Sequence, residues 1–534
     1  MNWLKDRPNR IWLCFYAGAA LTGLTVVLPQ LGFLEWISLI PLLAVVFSRF
    51  ESERISAKQS YWHGFFAVYL YYFVIYHWFL SLYPLDFVGL GKGASVVVVL
   101  AGWLGLSLLQ AIPGGLVFLA FRMLSGTEWI RKRPLFKPLI FACLWLLFEW
   151  SSTLTFAGVP WGRLYMGQSE YLPMIQSASL FGSYFISLLL LIVNGLLAWA
   201  LCYHKREMLC CGISAGLVCS NLLFGILRMQ RNFQNENTVH ATVVQGNISS
   251  HEKWETSTTF RMMDTYEDLT RQAAEEGAEL VLWPETTVTV ALSQSFYMKS
   301  FVSRVAEENQ VTLLVGALHE DETGEYNSLF LVTPDGEISE QRYDKRHLVP
   351  FGEYVPMREL ITVVIPPLAE VSALDVELKA GTDTNLFDTQ WGKVGAMICF
   401  DSIYETLGLQ SVREGAELMV LSSNDSWFSD SAAVYQHQAQ AQFRAVEQGR
   451  YLVRSANTGI STILSPTGEI LAWIDALTEG YAVEQVSFRT SETLYSRIGN
   501  LLVYVGGVFC LCVGVTEVVS KKRRKENDPC EIQD

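Results

Sequence analysis

Charge is scarce in this chain. Asp, Glu, Lys and Arg make up only 17% of its 534 residues, against about a quarter in ordinary soluble domains, which disfavours a wholly soluble protein. Being 51% hydrophobic, it also lacks the polarity that keeps chains disordered. Basic residues are the scarcer sign: 39 Lys and Arg face 53 Asp and Glu, for a net charge of −14. That balance argues against nucleic acid as a partner, because phosphate binding draws on a basic surface. Beyond residue 231 there is no CxxC or HxxxH spacing and no glycine-rich phosphate loop, so neither a metal nor a cofactor is expected. Internal repeats and low-complexity segments are missing too.

The scarcity is uneven. Residues 1 to 230 hold 16 basic and 9 acidic side chains, whereas residues 231 to 516 hold 18 and 39. An acidic block is thus inserted into an apolar, slightly basic chain. Crossing a bilayer takes roughly 20 apolar residues in a helix, and eight runs of about that length occur: Ile11–Leu28, Leu31–Phe47, Tyr61–Leu82, Ala94–Phe121, Phe136–Leu154, Ile175–Tyr203, Met208–Leu227 and Ile498–Val519. The fourth contains Pro113-Gly114-Gly115 and is read as one kinked helix. With the N-terminus inside, the cytoplasmic segments collect 18 basic residues, and the short outer loops only Lys92 and Arg163. This asymmetry is the positive-inside pattern. The expected organisation is a membrane domain over 1–230 with seven spans, an extracytoplasmic domain over 231–490, an eighth span over 491–520, and a cytoplasmic tail over 521–534.

Cysteine is nearly absent from the exported block. Of ten in the chain, Cys399 alone lies there, which excludes an internal disulfide and leaves one thiol to serve as core filler or as a reagent. Around it the pattern becomes short β-like runs alternating with polar helical stretches. Strands are expected at 240–244, 279–283, 312–316, 328–333, 394–399, 418–422 and 461–464. Helices are expected at 259–276, 296–309, 404–414 and 434–450. The turns Pro334-Asp335-Gly336 and Pro466-Thr467-Gly468 suit hairpins. The fold class is therefore a multi-span α-helical membrane domain plus an α/β domain with a mixed sheet.

Three segments depart from ordinary strand and loop chemistry. Ala278 to Glu285 is an apolar strand ending in Trp-Pro-Glu. Tyr343 to Pro356 carries Lys345 and, eight residues on, Glu353. Val394 to Asp401 delivers Cys399 at a strand end, where α/β enzymes place reactive groups. Taken singly, a helix cap, a solvated lysine and a buried thiol explain each. Together, the WPE, the DK-x-HLVPFGE-x-VP and the IC motifs resemble the nitrilase superfamily. Combined with the eight spans, the whole chain resembles the apolipoprotein N-acyltransferases. Val244-Gln-Gly-Asn-Ile248 with Trp254, Ser423-Asn-Asp-Ser-Trp-Phe428 and Arg454-Ser-Ala-Asn-Thr-Gly-Ile460 add to the match.

The resemblance implies a nitrilase-like αββα sandwich and a Glu285–Lys345–Cys399 triad. Cys399 would take an acyl chain from a phospholipid as a thioester, and Glu285 would serve as general base. Lys345 would favour the thiolate and the oxyanion, with Glu353 as a second carboxylate and the Phe400 backbone N–H as a further oxyanion donor. The acceptor would be the α-amino group of a diacylglyceryl lipoprotein. Trp254, Asp401, Trp427 and Phe428 are candidate pocket residues. A bacterial inner-membrane enzyme with periplasmic catalytic domain and cytoplasmic termini is implied, without cofactor or metal. Alternative readings are a membrane-anchored amidase using water, a Cys–His pair through His347 or His437, and a transporter or receptor with an inactive exported domain. For the transporter, Glu149 and the Pro113-Gly114-Gly115 break are the main candidates within the spans. The apolar stretch 360–369 is a candidate lid or interfacial segment. One departure stands out: the family commonly has Cys-Tyr-Glu at the nucleophile, and this chain has Cys399-Phe400-Asp401, which bears on acceptor handling.

Overall fold

The computed structural model describes residues 8–50, 54–85, 90–155, 158–204, 206–233, 235, 237–250, 252–364 and 377–527. The chain forms two compact units, one of Met1–His77, Trp103–Leu227 and Ile498–Asp534, the other of Trp78–Gly102 and Arg228–Arg497. The second unit thus draws in a segment from the N-terminal part, where the sequence suggested one continuous block. Ser81 Oγ donates to the Phe428 carbonyl at 3.1 Å, and the Trp78 and Phe428 rings meet edge to face at 5.1 Å.

Among the described residues, eight helices are long and apolar enough to cross a membrane. The fourth run is a single helix, Lys92–Ser125, with Pro113 inside it. The glycines beside that proline let helices touch: a Cβ on Gly114 would lie 2.6 Å from Val68. The sixth run is shorter than its apolar stretch suggests. Gly182, at φ +78°, interrupts it, so short turns Leu172–Ile175 and Ala178–Phe181 precede the helix Tyr184–Tyr203. Glu149 accepts from Trp145 Nε1 at 3.1 Å and from the Leu164 amide at 2.9 Å. A second buried carboxylate, Glu35, accepts from Gln168 Nε2 at 2.7 Å. Both carboxylates thus hold the helical unit's own elements.

The other unit is built on two sheets. Its strands are β1 (Thr238–Gln245), β2 (Leu280–Leu282), β3 (Val288–Ala291), β4 (Thr312–Asp321), β5 (Gly324–Val332), β6 (Ile338–Asp344), β7 (Phe387–Thr389), β8 (Gly392–Ile398), β9 (Leu418–Ser423), β10 (Leu452–Ala456), β11 (Ser461–Leu464), β12 (Ile470–Ile474) and β13 (Gly480–Ser487). One sheet runs β13-β1-β2-β4-β5-β6, with β3 also on β4, and the other runs β12-β11-β10-β9-β8-β7. Within each, the central pairs are parallel (β1 with β2, β2 with β4, β8 with β9, β9 with β10) and the outer pairs antiparallel.

Alternation along the strands sorts their side chains into two layers. Val239, Ala241 and Val243 of β1 pack with Val394, Ala396 and Ile398 of β8 between the sheets. On the far face of the first sheet, Val281, Leu313 and Val315 meet Tyr266 and Leu269 of the helix Thr256–Glu275 and Val302 and Val305 of the helix Phe296–Asn309. On the far face of the second, Met397, Met419 and Leu421 meet Val412 of the helix Glu405–Arg413 and Ala441 and Ala445 of the helix Ala432–Gln448. The caps agree with the helix boundaries: Ser431 accepts from the Ala433 amide, and Gly449 ends that last helix at φ +62°. Helix, sheet, sheet, helix is the sandwich that the motifs implied.

Candidate active site

The catalytic candidates come from strand ends and the loops after them. Trp283, wholly buried, anchors the chain after β2 by donating its indole N–H to Thr270 Oγ1 at 2.9 Å. Pro284 and Glu285 follow, and Thr286 turns back at φ +49°. After β6, the Lys345 amide donates to the Asn327 carbonyl of β5 at 2.8 Å. The side chains then converge. Lys345 Nζ donates to Glu285 Oε1 at 2.8 Å and to Glu353 Oε1 at 3.0 Å, and it lies 2.9 Å from Glu353 Oε2. Asn327 Nδ2 reaches the same two carboxylates, at 2.7 and 2.9 Å. Glu353 also accepts from the Val349 amide at 2.8 Å, which closes its own loop onto the cluster. Burial alone would push Lys345 down, but Glu285, Glu353 and Cys399 together hold its ammonium well above the usual lysine range.

Cys399 is the first residue after β8 and opens a short 3-10 turn, Cys399–Ile403. Its φ is +49°, a left-handed value that is uncommon away from glycine. Partners on both sides hold that conformation. Ser402 Oγ donates to the Cys399 carbonyl at 2.8 Å, and His437 Nε2 meets the same oxygen at 3.1 Å. Burial, then Glu285, push the thiol far up, and Lys345 pulls it back only in part.

Asp401, expected in the substrate pocket, does something else. It is wholly buried, and its two oxygens are filled by the amides of His347 (2.7 Å), Ile398 (3.1 Å) and Arg346 (3.2 Å) and by the Tyr343 hydroxyl (2.9 Å). A carboxylate with four protein donors has no face left for a substrate. It ties the Lys345 loop to the strand that delivers Cys399. Burial pushes its carboxyl up to about 6, against the pull of the His347 and Ile398 amides, Lys345 and the Tyr343 hydroxyl. Phe400 stands edge to face with Tyr404, centroids 5.7 Å apart. Trp254 is 42% exposed, and Trp427 and Phe428 are half-buried at the turn after β9. Of the stretch 360–369, residues up to 364 end a helix, Arg358–Val364, and the rest lies outside the described residues.

The Cys–His alternatives can be judged from geometry. His347 lies against Tyr404, the rings tilted by 48° with centroids 3.7 Å apart, and burial with Arg346 and Lys345 beside it pushes it down to about 4. His437 is close: one of its nitrogens, a carboxylate oxygen of Asp425 and the Cys399 sulfur lie within 4.8 Å of one another. Both ring nitrogens are nevertheless engaged, Nδ1 with Asp425 Oδ1 at 2.8 Å and Nε2 with the Cys399 carbonyl and with Ser402 Oγ at 3.0 Å. Arg454 completes the chain by donating to Asp425 Oδ2 at 2.6 Å. Burial would raise Asp425, but Arg454 and His437 hold it well below the usual carboxylate range. A set so occupied holds the Cys399 backbone through its carbonyl.

Three comparisons with known proteins bear on what this chain is related to. The family model for the apolipoprotein N-acyltransferase N-terminal domain matches residues 18–196, and that for carbon-nitrogen hydrolase matches residues 240–494. An apolipoprotein N-acyltransferase of Gloeobacter violaceus is 30% identical, covering 93% of this chain and 92% of its own. The chain belongs to the apolipoprotein N-acyltransferase family. The Geobacter metallireducens member is 29% identical over 96% of this chain and 95% of its own, and the Shewanella oneidensis member 28% over 92% and 93%. Among solved structures, Saccharomyces cerevisiae Nit3 aligns with 19% identity and a TM-score of 0.38, covering 48% of this chain and 92% of that one.

Several polar residues of this acyltransferase's site escaped the sequence reading as site residues. Asn327 bridges the two carboxylates from the middle of β5. Lys253 is buried beside Glu285, donating to its carbonyl at 2.8 Å and to Thr286 Oγ1 at 2.7 Å. Asp425 and Arg454 sit within motifs already noted, which signalled their importance but gave no role. Asn457 of the third motif donates to the Ile248 carbonyl at 2.7 Å and accepts its amide at 3.1 Å, clamping the loop that leads to Lys253 and Trp254.

Proposed function

We propose that this family member moves an acyl chain from a membrane phospholipid, through a thioester on Cys399, to the α-amino group of the lipidated N-terminal cysteine of a lipoprotein. The observation that carries the reading is the convergence of Glu285, Lys345 and Glu353 beside a buried thiol held at φ +49°, in a chain whose described residues include eight membrane-length helices. Cys399 Sγ attacks the ester carbonyl while its proton passes to Glu285, and Lys345 faces the developing oxyanion. The intermediate collapses, the lysophospholipid oxygen takes the proton back from Glu285, and the acyl group stays on sulfur. In the second half, the amine of the acceptor loses a proton to Glu285 or Glu353 and attacks the thioester. The amide forms, and the thiol is restored.

The surrounding chemistry supports two lipid substrates visited in turn at one site. The basic residues gathered on alternate loops support a bacterial inner-membrane enzyme with both termini in the cytoplasm and the catalytic unit on the periplasmic side. Incubation with phospholipid alone, followed by peptide mass analysis, tests the first half: one acyl adduct is expected on the Cys399 peptide and none in Cys399→Ser. An adduct elsewhere, or none, overturns the mechanism. Adding a diacylated lipopeptide should then yield N-acyl product. Release of free fatty acid in its place would make the enzyme an amidase-like hydrolase.

A further inference from the structure

The site contains a second buried lysine that the thioester chemistry does not use. Lys253, 2% exposed, lies on the loop between β1 and the helix Thr256–Glu275. Its ammonium donates to the Glu285 carbonyl at 2.8 Å and to Thr286 Oγ1 at 2.7 Å. Those atoms belong to the turn that carries the general base, and Thr286 is its strained member at φ +49°. The groups acting on the ammonium are Glu285, from that turn, and Cys399, from the end of β8. Its neighbours on its own loop, Glu252 and Glu255, are exposed, and Glu252 is paired with Arg261 at 2.6 Å.

Charge balance gives this lysine a second task. Of the buried carboxylates near Cys399, Asp425 is offset by Arg454 at 2.6 Å, whereas Glu285 and Glu353 share Lys345, which alone cannot offset both. We propose that Lys253 is a positioning residue for the thiol chemistry, fixing the Glu285 turn through its two hydrogen bonds and supplying the second cation that makes the carboxylate–lysine cluster neutral. Without that charge, a thiolate would form in a cluster already carrying a net negative charge, at a cost that burial magnifies. The two tasks can be separated, because burial pushes Lys253 down to about 7. Below that pH the residue is both donor and cation. Above it the amine still donates, but the charge has gone.

The proposal deepens the thioester reading, so its test reads the thiol without any lipid. The alkylation rate of Cys399 by iodoacetamide, followed on its peptide by mass spectrometry, is measured from pH 5.5 to 8.5 in the full-length protein and in Lys253→Met. An opposite charge a few ångströms away shifts a titration by a unit or more, so wild type is expected to react about tenfold faster than K253M at the acid end. The ratio should narrow as pH rises through about 7. A ratio of one throughout, or a constant ratio, overturns the proposal. Thr286→Val keeps the lysine but removes one acceptor from its ammonium, so the wild-type inflection should move to lower pH; an unmoved inflection, or none in wild type, also overturns it, even if K253M does not fold. Formation of the acyl adduct from phospholipid is scored separately. A pH-dependent ratio without adduct sinks the thioester reading and leaves Lys253 in its role, and an adduct with a flat ratio does the reverse.

Discussion

Asp401→Asn is the most revealing single change, because one carboxylate joins the two loops that bring nucleophile and lysine together. Its Oδ1 takes the His347 and Arg346 amides, and its Oδ2 takes the Ile398 amide and the Tyr343 hydroxyl. An asparagine can keep one oxygen toward the first pair. Its NH2 then faces the second pair, where the tyrosine hydroxyl can rotate to accept but the Ile398 N–H cannot. The loss is one charge-assisted hydrogen bond and a buried N–H without a partner, together about 3 to 5 kcal/mol. In a domain of this size that corresponds to a fall in Tm of about 10 °C.

The pH dependence has a definite sign. Asp401 is pushed up to about 6 in the fold, whereas an unfolded aspartate titrates near 4. Between those values the folded state holds the extra proton, so this group's contribution to stability falls as pH rises from about 4 to about 6. Subtracting the D401N profile from wild type should expose that slope. Asp425, held low, adds nothing to this window, since its contribution is lost only below the unfolded range. Thermal unfolding across pH 4 to 8, with Cys399 alkylation followed in parallel, checks both statements. A D401N protein with unchanged Tm and unchanged Cys399 reactivity would refute the reasoning.

Two further outcomes are expected. His437→Ala strips a partner from Asp425 and from the Cys399 carbonyl, and should cost about 2 to 4 kcal/mol in thermal unfolding; paired with Asp425→Asn, the loss should fall short of additive because the two share one chain of contacts. For orientation, Glu322→Cys should be labelled by a membrane-impermeant maleimide in cells whose outer barrier is opened, and Arg131→Cys only once the inner membrane is permeabilised. The reverse pattern would overturn the assigned topology.

How much was legible follows from where polar groups sit. Strands buried on both faces, such as β8 and β9, read directly as apolar runs. The missed strands have other compositions. β6, β12 and β13 are half-exposed along most of their length, so they carry too few apolar residues to stand out from loops. β10 is fully buried yet holds Arg454 at its centre, and a charge in a short run argues against a strand until its partner Asp425 is known. The same holds at the site. Motif order could line up Glu285, Lys345 and Cys399, each at the end of a recognisable strand or in the loop beyond one. Asn327 and Lys253 meet Glu285 from 42 and 32 residues away, and nothing local in either stretch distinguishes a buried polar partner from an ordinary surface residue. Asp401 was misplaced for a related reason: the candidate nucleophile lies two residues before it, but its donors are two residues of the Lys345 loop, one of β6 and one of β8.

The buried thiol poses an apparent conflict, since burial and Glu285 push Cys399 up while the proposed chemistry needs it ionised. The conflict dissolves once the destination of the proton is followed. An isolated titration of the sulfur adds a negative charge beside a Glu285 carboxylate that is still ionised. Transfer to Glu285 instead moves one charge from oxygen to sulfur and leaves the number of charges around Lys345 unchanged. Lys345 begins between two carboxylates and, after transfer, stands between one carboxylate and the thiolate or oxyanion. Low polarity, which opposes creating a charge, also strengthens the attraction that follows this exchange. The same burial therefore keeps the resting sulfur a thiol, which is slow to oxidise, and in the proposed mechanism lets it ionise only in the step in which Glu285 accepts its proton.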